Sequence, residues 1–137
     1  MIVRIKQMDF EKIIAHGKEG VPNEACGLIA GTEAGGIKTI QKVYLLTNID
    51  QSPEHFSMDP KEQLAAVKDM RSEGLTLLGN FHSHPETPSR PSREDIRLAY
   101  DSAASYLILS LAEEVPALKA FEISKGKVTA QTLEIIT

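Results

Sequence analysis

The sequence is poor in cysteine, in aromatic residues and in long apolar stretches. Its one cysteine, Cys26, cannot form an internal disulfide and is typical of a reducing compartment, where we expect a small buried residue rather than a reactive thiol. No window is apolar over the length of a transmembrane helix, and the first ten residues lack the basic and apolar regions of a signal peptide. We therefore expect a soluble, cytoplasmic protein.

Positive charge is also scarce. Fifteen Lys and Arg residues against nineteen Asp and Glu residues give a formal charge of −4. A general phosphate-binding surface needs a basic excess, so nucleic acid is not an expected partner, and no membrane association is expected. The 137 residues are 42% hydrophobic and 25% charged, which is ordinary for a globular protein. We expect one domain over residues 1–137.

Apolar runs alternate with helix start signals along the chain. Strands are predicted at about residues 1–6, 24–31, 37–47, 75–82, 106–111, 118–123 and 128–136. Helices are predicted to begin at Asp9, at Asp59-Pro60 and at Ser92, because Asp and Ser cap helices and Pro suits the first helical position. The third helix is expected to include Tyr100. This pattern predicts an α/β protein with a mixed β-sheet packed by helices.

Two histidines and an aspartate lie close together in the sequence. His82 and His84 flank Ser83 at the end of a predicted strand, and Asp95 follows in the first turn of the third helix. Residues i and i+2 of a strand share a face, so both imidazoles can aim at one point to which the chain returns Asp95. Two imidazoles and a carboxylate make a three-ligand zinc site that leaves the fourth tetrahedral position for water, the catalytic arrangement.

A hydrolase with such a site also needs a general base, and Glu24 is the candidate. It precedes an apolar strand, where a carboxylate needs a partner such as a metal-bound water. Glu86 and Glu94 lie nearer to the histidines in the sequence, so spacing alone does not select among these acids.

Ser92 has two interpretations. As a helix N-cap, its hydroxyl accepts a hydrogen bond from the first turn, and the spacing to Asp95 resembles a capping box. As a functional group, it donates to the oxyanion that develops on an attacked carbonyl. We expect the two roles to compete for one hydroxyl.

These residues together resemble the signature of the JAMM (MPN-plus) metalloprotease family. The matching pattern is Gly79-x-x-His82-Ser83-His84-Pro85, six further residues, Ser92, two further residues and Asp95. The upstream Glu24-x-x-Gly27-Leu28 segment matches the glutamate segment of that family. The resemblance covers nearly the whole chain, and 42 residues after Asp95 leave no room for a large insertion, as in the compact prokaryotic stand-alone members.

The resemblance implies a cytidine-deaminase-like fold and a single JAMM/MPN domain. It implies Zn²⁺ held by His82, His84 and Asp95, water activated by Glu24, and a tetrahedral intermediate stabilised with help from Ser92. The implied reaction hydrolyses an amide or isopeptide bond after the C-terminal glycine of a ubiquitin-like or sulfur-carrier protein. The extended tail of that substrate protein is expected to pair with an edge of the sheet as an additional strand.

Three alternatives remain at the level of sequence. The domain could be a non-catalytic MPN-type scaffold, which is disfavoured because every ligand position holds a competent ligand. A nucleobase deaminase is disfavoured because its zinc site uses a Cys-x-x-Cys pair and this chain has one cysteine. A homodimer is considered beside the monomer.

Overall fold

The computed structural model describes residues 1–137 as seven strands and three helices. The strands are β1 (Ile2–Lys6), β2 (Cys26–Ala34), β3 (Ile37–Leu46), β4 (Thr76–His84), β5 (Ser105–Ser110), β6 (Ala117–Ser124) and β7 (Lys127–Ile136). The helices are α1 (Gln7–Gly20), α2 (Pro60–Ser72) and α3 (Arg93–Arg97). None of the three combines the length and the hydrophobicity that a membrane-crossing helix requires.

The strands form one closed, mixed sheet in the order β1, β3, β2, β4, β5, β6, β7, with β7 returning to β1. The predicted mixed sheet with packed helices is therefore confirmed. Strand β4 pairs antiparallel with β2 and parallel with β5, so both of its sides are occupied. An extended substrate cannot pair with β4 itself, and the expected strand addition has no free edge at this strand.

The helix start signals differ in how well they predicted the observed termini. Asp59 caps α2 through hydrogen bonds from the backbone N–H groups of Lys61 and Glu62, and Pro60 is the first helical residue, as predicted. The predicted cap at Asp9 is wrong, because β1 leads directly into α1 and the helix begins two residues earlier, at Gln7. Asp9 lies instead in the first turn, where the negative charge of its carboxylate interacts favourably with the helix dipole.

Helix α3 is shorter than predicted. It begins after Ser92 and ends at Arg97, so Tyr100 lies beyond it and is 85% exposed. None of the α3 residues is buried, and a helix of this length gains little from tertiary packing. The capping interactions at its first turn are the contacts that define it.

Two apolar clusters hold the closed sheet and the helices together. The larger one joins β-strand residues such as Phe81 and Leu107 to Ile13 of α1, and all three side chains are buried. The smaller one packs Cys26 and neighbouring β2 residues against Ala66 and Met70 of α2. Because residues alternate along β4, Phe81 enters the larger cluster while His82 and His84 face the other side.

Two glycines of the sequence pattern lie where the backbones approach closely. A Cβ atom on Gly27 would lie 2.2 Å from the Phe81 ring. Gly79 has a φ of 155°, and a Cβ atom there would lie 1.9 Å from the carbonyl oxygen of Ser105. Both glycines therefore permit the close packing of β2, β4 and β5 that supports the histidine strand.

Candidate active site

The side chains of His82, His84 and Asp95 meet at one point. The Nε2 atoms of the two histidines lie 3.1 Å apart, and Oδ2 of Asp95 lies 3.1 Å from the first and 3.2 Å from the second. Strand β4 supplies both imidazoles from one face, and α3 supplies the carboxylate from its first turn. The structure thus brings together the three residues that the sequence pattern selected as metal ligands.

The spacing of these atoms fits a tetrahedral metal ion. Ligand atoms that bind zinc at 2.0–2.1 Å with tetrahedral angles lie about 3.3–3.4 Å apart, close to the three observed separations. The Nε2 atoms of both histidines face the same oxygen of Asp95, so the two atoms do not have separate hydrogen-bond acceptors. The imidazole and carboxylate donors are those that zinc binds in catalytic sites.

The chain between the histidines and Asp95 is fixed at several points. The Nδ1–H group of His84 donates to the carbonyl of Pro88 at 2.9 Å, which orients Nε2 toward the site. Further along, the hydroxyl of Ser89 donates to the carbonyl of Ile108 at 2.6 Å. The proline-rich loop therefore lies against β5 and returns the chain to α3 beside the histidines.

Burial and hydrogen bonds set the charge state of the three ligands. Burial lowers the pKa of His82, so this imidazole is neutral and able to bind a metal. Burial opposes ionisation of Asp95, but its hydrogen bonds with the two histidines outweigh this and hold its pKa far below the usual range. Burial likewise opposes the charge on His84, whereas its hydrogen bonds with Asp95 and Pro88 raise its pKa.

Glu24 lies beside this triad, directly before β2. Cys26 pairs with His82 across the antiparallel β2–β4 ladder, and continuing that register places Glu24 opposite His84. Ser83 fixes the segment, because its Oγ accepts from the N–H of Ala25 at 2.8 Å and its own N–H donates to the Ala25 carbonyl at 2.9 Å. The serine between the histidines therefore joins the Glu24 segment to the strand of the two imidazoles.

One carboxyl oxygen of Glu24 is buried without a partner. The residue is 4% exposed, and its Oε1 atom has no hydrogen bond. Burial raises the pKa of Glu24 to about 8, while the charge of His84 acts in the opposite direction. A buried, unpaired carboxyl beside three converging ligands suits a group that exchanges protons with a metal-bound water.

Ser92 is a helix cap in this structure. Its Oγ accepts from the N–H of Asp95 at 3.0 Å, and its own N–H donates to Oδ2 of Asp95 at 2.9 Å, which completes a capping box. Capping uses a lone pair of the hydroxyl oxygen, so the hydroxyl proton remains available to another acceptor, and the expected competition between the two roles stays a prediction. The oxyanion role stays a prediction.

A cavity of about 450 Å³ opens beside the triad. Its apolar lining includes the side chains of Phe56, Met58, Leu98, Tyr100 and Tyr106, and its polar lining includes His82 and Asp95. The Phe56 ring stacks on the His82 imidazole with centroids 4.8 Å apart and an angle of 27° between the planes. Sequence reasoning gave Phe56 no site role, because a single aromatic residue in a loop carries no local signal of what it will contact.

Cys26 is buried and takes no part in the site. Burial raises the pKa of its thiol to about 12, which keeps it protonated and unreactive at neutral pH.

Asn48, which sequence reasoning did not select, donates from its side chain to the carbonyl of Glu24 at 2.9 Å. An asparagine in a loop is so common that only its tertiary contacts distinguish it.

Comparison with known proteins finds a matching family and several relatives of this sequence. The sequence model of a family described as prokaryotic homologs of the JAB domain matches residues 7–124. A CysO-cysteine peptidase of Mycobacterium tuberculosis is 30% identical over 125 residues, covering 90% of this chain and 84% of the relative. A desampylase of Haloferax volcanii is 30% identical over 105 residues, covering 73% of this chain and 74% of the relative.

Among solved structures, the solution structure of a protein from Desulfitobacterium hafniense superposes with a TM-score of 0.90. It is 53% identical in sequence, and the match covers 98% of this chain and 92% of that one. The similarity therefore extends over the seven strands and the site that they carry. This chain belongs to the family of prokaryotic JAB-domain proteins, the compact JAMM proteins that its sequence pattern resembles.

Proposed function

We propose that this protein is a zinc-dependent peptidase that hydrolyses the amide or isopeptide bond after the C-terminal glycine of a ubiquitin-like or sulfur-carrier protein. The observation that carries the proposal is the convergence of His82, His84 and Asp95 beside the buried, unpaired carboxyl of Glu24. The relatives named as a CysO-cysteine peptidase and a desampylase support this substrate class.

In this proposal, His82 and His84 bind zinc through Nε2, and Asp95 binds it through a carboxylate oxygen. When bound, zinc lowers the pKa of a coordinated water to about 7 and polarises the carbonyl of the substrate. Glu24 accepts the proton of the attacking water and passes it to the leaving amine. Ser92, held at the first turn of α3, donates its free hydroxyl proton to the oxyanion.

The charge balance supports the role of Glu24 as a base. Its raised pKa belongs to a site without a cation, and a divalent ion among the three ligands favours the carboxylate form. A metal ion held there would therefore favour the ionised form of Glu24, which would be able to accept a proton near neutral pH. Among the acids nearer in the sequence, Glu86 is exposed and Glu94 is half-buried, whereas Glu24 is buried.

The cavity beside the triad suits the tail of a small protein. Strand β4 is covered on both sides, so the tail lies along the cavity and not as an added strand of β4. Phe56, Met58 and Leu98 form apolar walls there, which fit an aliphatic side chain upstream of the terminal glycines. Glycines at the reacting bond would pass close to the stacked rings of Phe56 and His82 without a steric clash.

The proposal also covers location and assembly. A single buried cysteine fits a reducing compartment, so the cytoplasm is the proposed location. The homodimer considered from the sequence stays a prediction. The scaffold alternative is disfavoured by the intact ligand set and by the buried base, since a binding module has no use for an unpaired buried carboxyl.

Mass spectrometry of a cleavage reaction tests the proposal. The zinc-loaded protein is incubated with the small ubiquitin-like and sulfur-carrier proteins of its own host, each extended beyond the terminal glycines by one amino acid or joined to a lysine. We expect release of the added group after the last glycine, and no release by Glu24→Gln or in the presence of a chelator. Intact substrates throughout the panel, with one zinc bound per chain, would contradict the proposal.

A further inference from the structure

The loop between β3 and α2 contacts both halves of the candidate site. We define the 48–58 loop as residues 48–58, whose two ends are joined by an isolated antiparallel bridge between Asn48 and Met58. From its contacts we infer that Asn48 is a positioning residue, which holds the backbone of Glu24 and the ring of Phe56 in the geometry that the reaction needs. The kinetic part of this inference rests on the proposed function.

The side chain of Asn48 uses its full hydrogen-bonding capacity. Its Nδ2 group donates to the carbonyls of Glu24 at 2.9 Å and His55 at 3.1 Å. Its Oδ1 atom accepts from the N–H groups of Asp50 at 3.0 Å and Ser57 at 3.1 Å. An amide offers two donors and two lone pairs, so all four are satisfied and the side chain has one orientation.

The 48–58 loop holds Glu24 from both sides of its backbone. The carbonyl of Glu24 accepts from Asn48, and its N–H donates to the carbonyl of Ser52 at 2.8 Å. The bonds to β4 end at the next residue, Ala25, which pairs with Ser83, so the N–H and carbonyl of Glu24 itself are bonded by the loop. The direction of the Glu24 side chain therefore depends on the loop as well as on the pairing of Ala25 with Ser83.

The same amide also brackets Phe56. Asn48 binds the carbonyl of the residue before Phe56 and the N–H of the residue after it. These two bonds fix the backbone that presents the phenyl ring to the imidazole of His82. Because the Nδ1 atom of His82 has no hydrogen-bond partner, the stacked Phe56 ring restrains this imidazole together with the contact between its Nε2 atom and Asp95.

One side chain thus couples the base to the orientation of a metal ligand. Its polar atoms bind none of the three proposed ligands, so replacing it leaves the ligand set complete. Misplacing a reacting group by about 1 Å can lower the rate about 100-fold, so a small backbone shift at Glu24 has a measurable kinetic effect. This separates a positioning role from one in substrate or metal binding.

Two substitutions and one control test the inference. Asn48→Ala removes all four hydrogen bonds, whereas Asn48→Asp keeps an acceptor for the two N–H groups and loses the donors to the two carbonyls. Asp59→Ala is the control, because it removes two hydrogen bonds at the α2 N-cap, next to the loop, without contacting Glu24 or Phe56. Zinc content, kcat, KM and backbone amide exchange are measured for each.

We expect both Asn48 variants to keep about one zinc per chain and to lose at least about ten-fold in kcat, with KM within about three-fold of the original. Asp59→Ala should keep kcat within about two-fold. In metal-free protein, Asn48→Ala should accelerate amide exchange at Glu24 and Ser57, and Asn48→Asp should accelerate it mainly at Glu24.

Unchanged kcat in Asn48→Asp, a loss confined to KM, loss of zinc, or an equal decrease in Asp59→Ala would overturn the inference. Unchanged exchange at Glu24 and Ser57 in Asn48→Ala would also overturn it, whatever the activity. If the original protein cleaves no substrate while exchange changes as expected, the proposed function fails and the positioning contacts stand.

Discussion

Replacing Glu24 with glutamine tests both the role of Glu24 as the general base and the loss of folding stability that results from burying its carboxylate. The two side chains have nearly the same shape, so Glu24→Gln leaves the packing and the three ligands in place. Positioned general bases contribute about 10²–10⁴-fold to rate. We expect turnover to decrease by that factor while zinc binding is retained.

The metal-free variant should also be more stable than the metal-free original at neutral pH. Burial raises the pKa of Glu24 from 4.5 to about 8, so the folded state holds the proton more tightly than the unfolded state. Ionisation therefore destabilises the fold as pH rises above 4.5, and the effect levels off above the folded pKa of about 8. At about 1.4 kcal/mol per pH unit, the difference reaches at most about 3 kcal/mol at pH 7.

Urea unfolding of both proteins in chelator at pH 5 and pH 7 measures this difference. Glu24→Gln should be the more stable protein at pH 7, and at pH 5 the advantage should decrease to below about 1 kcal/mol. Glu54→Gln is the matched control, because it makes the same chemical change at an exposed residue of the 48–58 loop. Substantial residual turnover in Glu24→Gln would refute the base, and an advantage that does not depend on pH would refute the burial of an ionisable group as its cause.

Three further substitutions test the ligands, the cap and the strand packing. His82→Ala should lose most of its zinc on dialysis, as measured by mass spectrometry of the metal, and full occupancy would contradict the ligand assignment. Ser92→Ala should lower the free energy of unfolding by about 1 kcal/mol through loss of the cap. A decrease in kcat at saturating substrate would support the oxyanion role of Ser92. A normal kcat would mean that Ser92 acts only as a helix cap. Gly79→Ala should cost about 2–5 kcal/mol in urea unfolding, because the methyl group meets the Ser105 carbonyl at a positive φ. Gly126→Ala has a φ of 78° but open space around it, so a cost equal to that of Gly79→Ala would contradict the steric explanation.

The buried lysine of β3 bonds to groups in and next to the neighbouring strands β4 and β5. Lys38 is 2% exposed, and its ammonium group donates to the carbonyl of Ala103 at 2.6 Å and to the hydroxyl of Ser105 at 2.9 Å. It also contacts the carbonyl of Leu78 at 3.4 Å, where the β2–β4 register shifts. The lysine thus supplies donors to backbone groups at the starts of β4 and β5.

Most strands could be predicted from the sequence because their signals are local. Alternating or continuous apolar runs marked β2 to β7 to within a few residues, and Asp59-Pro60 marked the start of α2. The prediction from Asp9 was wrong because aspartate is also common within the first turn of a helix. Here β1 leads directly into α1, which starts at Gln7, before Asp9. The prediction that α3 includes Tyr100 was wrong because α3 has no buried face whose packing would extend the helix beyond Arg97.

The sequence by itself determined the three residues that meet in the site. His82 and His84 share a strand face, and the spacing to Asp95 is short enough for one loop to close, so local geometry was sufficient. The tertiary structure alone decided that Glu24 lies opposite His84, since this follows from the antiparallel register of β2 and β4, which are far apart in the chain. It also decided that Asn48 and Phe56 belong to the site, because a loop residue acquires its partners only when separate strands and helices pack around it.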